Sequence, residues 1–401
     1  MWSRTRYRLL IAAAVFAVLP RVTAQEEELE VRKSARRENP ALRITQWQGN
    51  REVLAHLQQD LKYSDWFRFP VKEGEKTAYQ LTGTAKPAGN KIALTLELTG
   101  DGTTRTLALA HPNAVRLAHA AVDQLIKAAF DNPGWCSSRL AFVKRAGKGK
   151  DIWVSDFHGG HGKPLVRTGT IATEPAWSND GRYLTFTLYT GLSTDVLIMD
   201  FKRERHKRIA GYGGLNAGCD LSNRATHAAL TLSKGGKQVD LFVQDIRTDE
   251  IVQLTNDDHV EASPCWSPDD SQICYVSDRG RRPTLHLINA DGGQPTRLSP
   301  TLGEAVAPDW SPVSNQICFA LRRGGHYAIG IIDMDRPQAP ERVPVRLAGD
   351  WEAPCWAADG RHIICSRDLN GTKNLYVIDS WYGRARKLMA GDGVSLPAST
   401  Q

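Results

Sequence analysis

An apolar stretch long enough to span a membrane is missing from this 401-residue chain: the run from Leu9 to Leu19 falls well short of the ~20 residues that a spanning helix needs. The Gly-x-Ser-x-Gly elbow that the hydrolase domain of a propeller peptidase carries is also missing. Nor is there a large excess of one charge. Lys and Arg number 51 against 44 Asp and Glu, a net charge of +7, and four of the arginines lie in the first 24 residues. What remains is close to balanced, so nucleic-acid binding loses its main compositional support. Cysteine is present in an odd number, seven, which leaves at least one thiol unpaired in a monomer.

Residues 1–24 read as a processing segment. Arg4, Arg6 and Arg8 form a basic start, Leu9 to Leu19 a short apolar core, and Val22-Thr23-Ala24 a small-residue cleavage site before Gln25. No cysteine follows that site, so a lipid-anchored product is not expected. The expected product is exported and soluble, which in a bacterium with two membranes means the periplasm. Residues 25–38 are charged, acidic first and basic after, and read as a solvated arm or as a partner-binding one.

Residues 39–133 read as a small α/β domain. Ala41–Trp47 is a strand candidate, and Asn50 caps a helix with Val53, Leu54, Leu57 and Leu61 on one face. Ile92, Leu94, Leu96 and Leu98 alternate with polar residues as in a half-buried strand, and Gly100-Asp101-Gly102 turns the chain into a partner around Thr106–Ala110. Asn113 caps a second helix, which Asn132-Pro133-Gly134 ends. Two helices on a small mixed or antiparallel sheet predict a self-sufficient core.

From residue 134 to 401 the chain repeats itself. DIWVSD, DVLIMD, DLFVQD, TLHLIN, AIGIID and NLYVID begin at Asp151, Asp195, Asp240, Thr284, Ala328 and Asn374, spacings of 44 to 46 residues. A second element keeps the same phase: PAWSNDG from Pro175, PCWSPDD from Pro264, PDWSPVS from Pro308 and PCWAADG from Pro354. Leu221 stands where one tryptophan has been replaced. Such a period marks a β-propeller, here of six blades, because a lone four-stranded sheet cannot bury both of its faces. No Trp strand precedes the first hexamer, while Leu396-Pro397-Ala398-Ser399 falls in Trp-strand phase after the last. The C-terminus is therefore expected to supply the missing inner strand of the first blade.

An export signal, a domain of about a hundred residues and six repeats of the form P-x-W-S-x-D-G, strand, x-L-x-x-x-D resemble the TolB family, with Ala262 to Ser299 the most specific stretch. The resemblance implies a small α/β domain followed by a six-bladed propeller. It also implies a non-catalytic monomeric scaffold that docks the peptidoglycan-associated lipoprotein Pal and contacts TolA, supporting envelope integrity and division. It further implies that the Pal-facing loops are those leading into the Trp strands: 169–174, 212–220, 256–263, 301–307, 349–353 and 391–396. The TolA contact would involve the N-terminal arm, where Leu29-Glu30-Val31-Arg32 stands before a strongly charged run.

Glu174, Glu261, Glu304 and Glu352 each precede the Pro of a Trp strand, so propeller geometry predicts part of an acidic collar around one channel mouth, or turn residues bonding neighbouring amides. His259 falls in the same class of loop. His158-Gly159-Gly160-His161-Gly162 aligns with a hairpin turn of a later repeat and reads as one. The other histidines, among them His286, His326 and His362, fall at different phases, so neither a metal site nor another cofactor is expected. Cys265/Cys274 and Cys355/Cys365 flank hairpin turns, where cross-strand bridges compete with buried free thiols as readings. The rival functional class is an exported propeller that binds a small ligand or carbohydrate, or a relative of the propeller hydrolases and lyases.

Overall fold

The computed structural model describes residues 38–400 apart from 192, 237, 299–301 and 392–393. The leader and most of the charged arm, including Leu29, Glu30, Val31 and Arg32, lie outside the described residues. Among the described residues no helix is long and apolar enough to cross a membrane.

The first part is a four-stranded sheet backed by two helices. In chain order these are β1 (Leu42–Gly49), α1 (Arg51–Ser64), β2 (Tyr79–Ala88), β3 (Lys91–Gly100), β4 (Thr103–His111) and α2 (Ala114–Phe130). The sheet is mixed: β1 pairs parallel with β2, while β2, β3 and β4 form an antiparallel meander. Both helices start where a side chain satisfies orphan amides, Asn50 accepting from Glu52 and Val53 and Asn113 from Arg116. They bury Val53, Leu57 and Leu61 of α1 and Leu117, Val122, Leu125 and Ile126 of α2. β2 is the element that the sequence conceals, because Gly83 and Pro87 interrupt its alternation.

Six sheets follow among the described residues. The first contains β5 (Arg139–Ala146), β6 (Gly149–Asp156) and β7 (Lys163–Val166). The next five begin with the inner strands Ala172–Trp177, Asn216–Leu221, Glu261–Trp266, Ala305–Trp310 and Asp350–Trp356. Each neighbouring pair of these sheets encloses one apolar cluster, to which the later sheet contributes its Trp. Trp177, Trp266, Trp310 and Trp356 fill four of these clusters, and Leu221 fills the remaining one. The replacement is possible because Leu221 is joined there by Cys219 and Phe242.

The ring closes through the C-terminus. Ser395–Ser399 pairs antiparallel with β5, so the first sheet takes its inner strand from the end of the chain. This removes an exposed sheet edge and buries Val394. The apolar cluster at this seam holds Leu140, Phe142 and Phe157 of the first sheet and Ile364, Leu375 and Val377 of the last. It continues without interruption into Leu42, Trp66, Phe67 and the buried faces of α1 and α2. The apolar interior of the α/β part is therefore continuous with that of the seam.

All seven cysteines are buried and unbridged. Cys265 directly opposes Cys274, whereas Cys355 opposes Ile364 rather than Cys365. Removal of residues 391–401 is expected to lower the thermal midpoint sharply, since losing the burial of the Val394 side chain alone forfeits about 1.5–3 kcal/mol. An unchanged midpoint would show that β5 needs no partner.

Candidate functional site

The inner strands share a feature that no single repeat reveals. In all six, the register against the second strand slips by a β-bulge. At each bulge sits a residue in left-handed conformation: Glu174, Gly218, Ser263, Ala307, Ala353 and Leu396, with φ between 47° and 56°. Five of the six are not glycine, although such a backbone costs a non-glycine residue of order 1–3 kcal/mol. Five also precede a proline, a position that reads from sequence as extended. The bulge bends the strand and increases its local twist where the incoming loop joins it.

These strands line a central cavity of about 260 Å³, with the bulge residues at one mouth and Asn179, Asn223 and the Ser-Pro turns toward the other. An innermost strand is a sheet edge, so part of its backbone points unpaired into the channel. Two aspartates answer this across neighbouring sheets. Asp220 Oδ2 accepts from the Trp266 amide at 2.8 Å, and Asp309 Oδ2 accepts from the Trp356 amide at 2.6 Å. Burial disfavours their charged forms and pushes Asp220 up to about 7 and Asp309 up to about 8, the latter raised further by Asp220.

The sequence-predicted residues are less uniform than a collar requires. Glu174 occupies the bulge itself; Glu352 lies one residue before its bulge, Glu261 two and Glu304 three. Glu174 alone of the four lines the cavity, where Oε2 accepts from the Gly218 amide at 3.0 Å and the Thr187 hydroxyl at 2.9 Å. Glu304 pairs with Arg322 at 3.2 Å and accepts from Tyr327 at 2.6 Å, and Glu352 pairs with Lys373 at 2.6 Å. Glu261 is turned inward beside Ser277, and burial pushes it up to about 7. His259 stands on the rim, 3.5 Å from Asp278. The carboxylates thus brace neighbouring elements instead of forming a free negative ring.

Exposed apolar side chains were not singled out by sequence. Of the six large ones among the described residues, Tyr189, Leu215 and Val260, each 39% exposed, lie at this face, while Val252, Val313 and Trp381 lie elsewhere, Val313 in a turn toward the opposite mouth. Tyr189 donates its amide to Ile171 just ahead of one inner strand, while Leu215 and Val260 immediately precede two others. The ion pair of Arg279 with Asp257 and the contact of His259 with Asp278 lie beside Val260.

The histidines divide differently from their sequence phases. The turn at His158 is not merely solvated: its ring stacks on Tyr63 of α1 at 5.3 Å. His362 is fully buried beneath the α/β part, where Asp65, Asp359 and Asp379 surround it. Spacing could not reveal this grouping, because Asp65 caps α1 while the other residues belong to the last sheet.

Comparison with known proteins identifies the family and the fold. Residues 127–400 match the family model described as the TolB beta propeller domain. The Tol-Pal system protein TolB of Francisella tularensis subsp. tularensis (strain WY96-3418) is 29% identical over 187 residues, 45% of this chain and 43% of that protein. The matched stretch thus spans less than half the length of that curated relative. The crystal structure of TolB from Acinetobacter baumannii superposes with a TM-score of 0.76 at 18% identity, covering 90% of this chain and 98% of that one. The structure of putative TolB from Agrobacterium tumefaciens gives a TM-score of 0.53 at 17% identity, over 64% of this chain and 90% of that one.

The channel aspartates make a pH test. A carboxyl raised in the folded state holds its proton where the unfolded chain has released it, so Asp309 lowers stability progressively as pH rises from about 4 to about 8. Asp309→Asn keeps an acceptor for the Trp356 amide and removes the titration. Urea unfolding at about pH 5 and about pH 8 should show a smaller loss of stability in the variant than in the parent chain. Equal losses would mean that Asp309 is ionised in the fold.

Proposed function

The chain belongs to the TolB β-propeller family, and on that premise we propose that it is a non-catalytic periplasmic scaffold of a Tol-Pal system. Its bulged face docks a Pal-like, peptidoglycan-associated lipoprotein. The observation that carries this reading is the placement of exposed Tyr189, Leu215 and Val260 at the entrances of three neighbouring inner strands, with the Arg279–Asp257 ion pair beside Val260. Apolar anchors surrounded by charged pairs are the ordinary anatomy of a protein-binding surface. The bulges support it further: the same left-handed turn, strained at the five non-glycine positions, recurs at the start of all six inner strands around one opening.

Within this reading the glutamates have two tasks. Glu261 is buried and supports its loop from below, and Glu304 is held by Arg322 and Tyr327, whereas Glu174 and Glu352 are exposed enough to meet a partner's basic groups and His259 stands beside them on the rim. The ion pairs of Glu304 and Glu352 tune encounter and orientation more than affinity. TolA contact through Leu29–Arg32 is the second element of the proposal, resting on the family resemblance of the arm. Support for envelope integrity and constriction at division would follow from linking these partners.

Leu215→Asp with Val260→Asp should weaken binding of a purified Pal domain by at least about tenfold, because each buried apolar contact contributes about 1.5–3 kcal/mol and 1.4 kcal/mol is tenfold. Glu304→Ala with Glu352→Ala should act mainly on the association rate and its salt dependence. Calorimetry and surface-based kinetics read these effects, and unchanged affinity in the apolar double variant would place the docking site elsewhere.

A further inference from the structure

We propose that Asp65, His362 and Asp379 bind one first-row divalent cation, zinc fitting best, at the joint between the α/β part and the last sheet. One donor atom from each of the three lies within 4.8 Å of the others. The imidazole is the decisive group. Its Nδ1 stands 2.6 Å from Asp359 Oδ2, which assigns the proton to Nδ1 and leaves the Nε2 lone pair free. Nε2 has no hydrogen-bond partner although the side chain is completely buried. It faces Asp65 Oδ2 at 3.9 Å, too far for a hydrogen bond. Two donors at about 2.0–2.2 Å from one ion stand up to about 4.2 Å apart, so the gap suits an ion.

The surroundings hold the three donors in place, as the outer shell of a metal site does. Asp359 orients His362 and itself accepts from Trp66 Nε1 at 2.8 Å. Trp135 stacks on the imidazole with centroids 5.1 Å apart. Asp65 Oδ1 accepts from Asn39 Nδ2 at 3.2 Å, which leaves Oδ2 turned toward His362. Arg361 holds both oxygens of Asp379, Nη2 donating to Oδ2 at 2.7 Å and Nε to Oδ1 at 3.2 Å, and the Trp381 amide donates to Oδ1 at 3.0 Å, so a lone pair of Oδ2 is what remains for an ion. The carboxylates of Asp65, Asp359 and Asp379 outnumber the guanidiniums of Arg361 and Arg386 around the imidazole.

One imidazole and two carboxylates suit zinc, manganese or cobalt, whereas magnesium and calcium prefer oxygen alone. Asp65, with 29% of its side chain exposed, gives the ion a way in and leaves room for water as a fourth ligand. Because Asp65 is the C-cap of α1 and the other two donors belong to the last sheet, the ion would lock one part onto the other.

The full chain, stripped with a chelator, is titrated with zinc and separately with cobalt. One equivalent should bind and raise the thermal midpoint. The cobalt complex should show the weak visible bands of nitrogen and oxygen donors without thiolate charge transfer. Asp65→Asn keeps a residue tolerant of the left-handed cap and should weaken zinc binding at least about tenfold. The proposal fails if no stoichiometric metal binds, if Asp65→Asn binds as tightly as the parent, or if cobalt shows thiolate charge transfer, which would place the ion on cysteine. The cobalt spectrum of the unaltered chain decides the donor set whether or not the variant folds.

Discussion

The pairing of Ser395–Ser399 with β5 is the contact on which the rest of the ring depends. Each sheet buries its faces against two neighbours, so an open array would expose one face at either end together with an unpaired strand. The seam does more than close the array. Phe142 and Phe157 on one side and Ile364 and Val377 on the other share a single apolar cluster with α1 and α2. The α/β part is thus positioned by the same contact, and its buried polar groups follow. Trp66 donates to Asp359, and Arg386 donates to the Tyr63 carbonyl across the joint.

Away from the seam the sheets behave as repeats, and the channel mouth shows what repetition can build. A bulge places one residue of every inner strand in a conformation that suits glycine, yet only Gly218 is one. Thr187 and the Gly218 amide hold the carboxylate of Glu174, while Arg322 and Tyr327 hold that of Glu304. The rim is therefore stiff and polar beneath a few exposed apolar side chains. A surface with that composition can receive a folded partner without first ordering itself.

The repeat was legible because tryptophans and apolar hexamers recur in phase, and the phase of Leu396–Ser399 pointed to the closing strand. Other features resisted sequence reading for physical reasons. β2 was hidden by Gly83 and Pro87, which weaken strand alternation. The six bulges were hidden because a residue before proline reads as extended. Glu174, Glu261, Glu304 and Glu352 looked equivalent when counted loosely from their prolines, but a shift of one residue along a strand reverses the face a side chain occupies. That is why Glu261 is buried and Glu352 is not. The grouping of His362 with Asp65 arises from docking between parts far apart in the chain, which no local spacing encodes.

Amide hydrogen exchange on the full chain, with and without a saturating Pal domain, tests the central claim most directly. The account predicts added protection in segments 212–220 and 256–263 at the bulged mouth and none in the turns 178–183 and 267–272 at the opposite face. Protection confined to those opposite turns, or no change anywhere on the propeller, would contradict it.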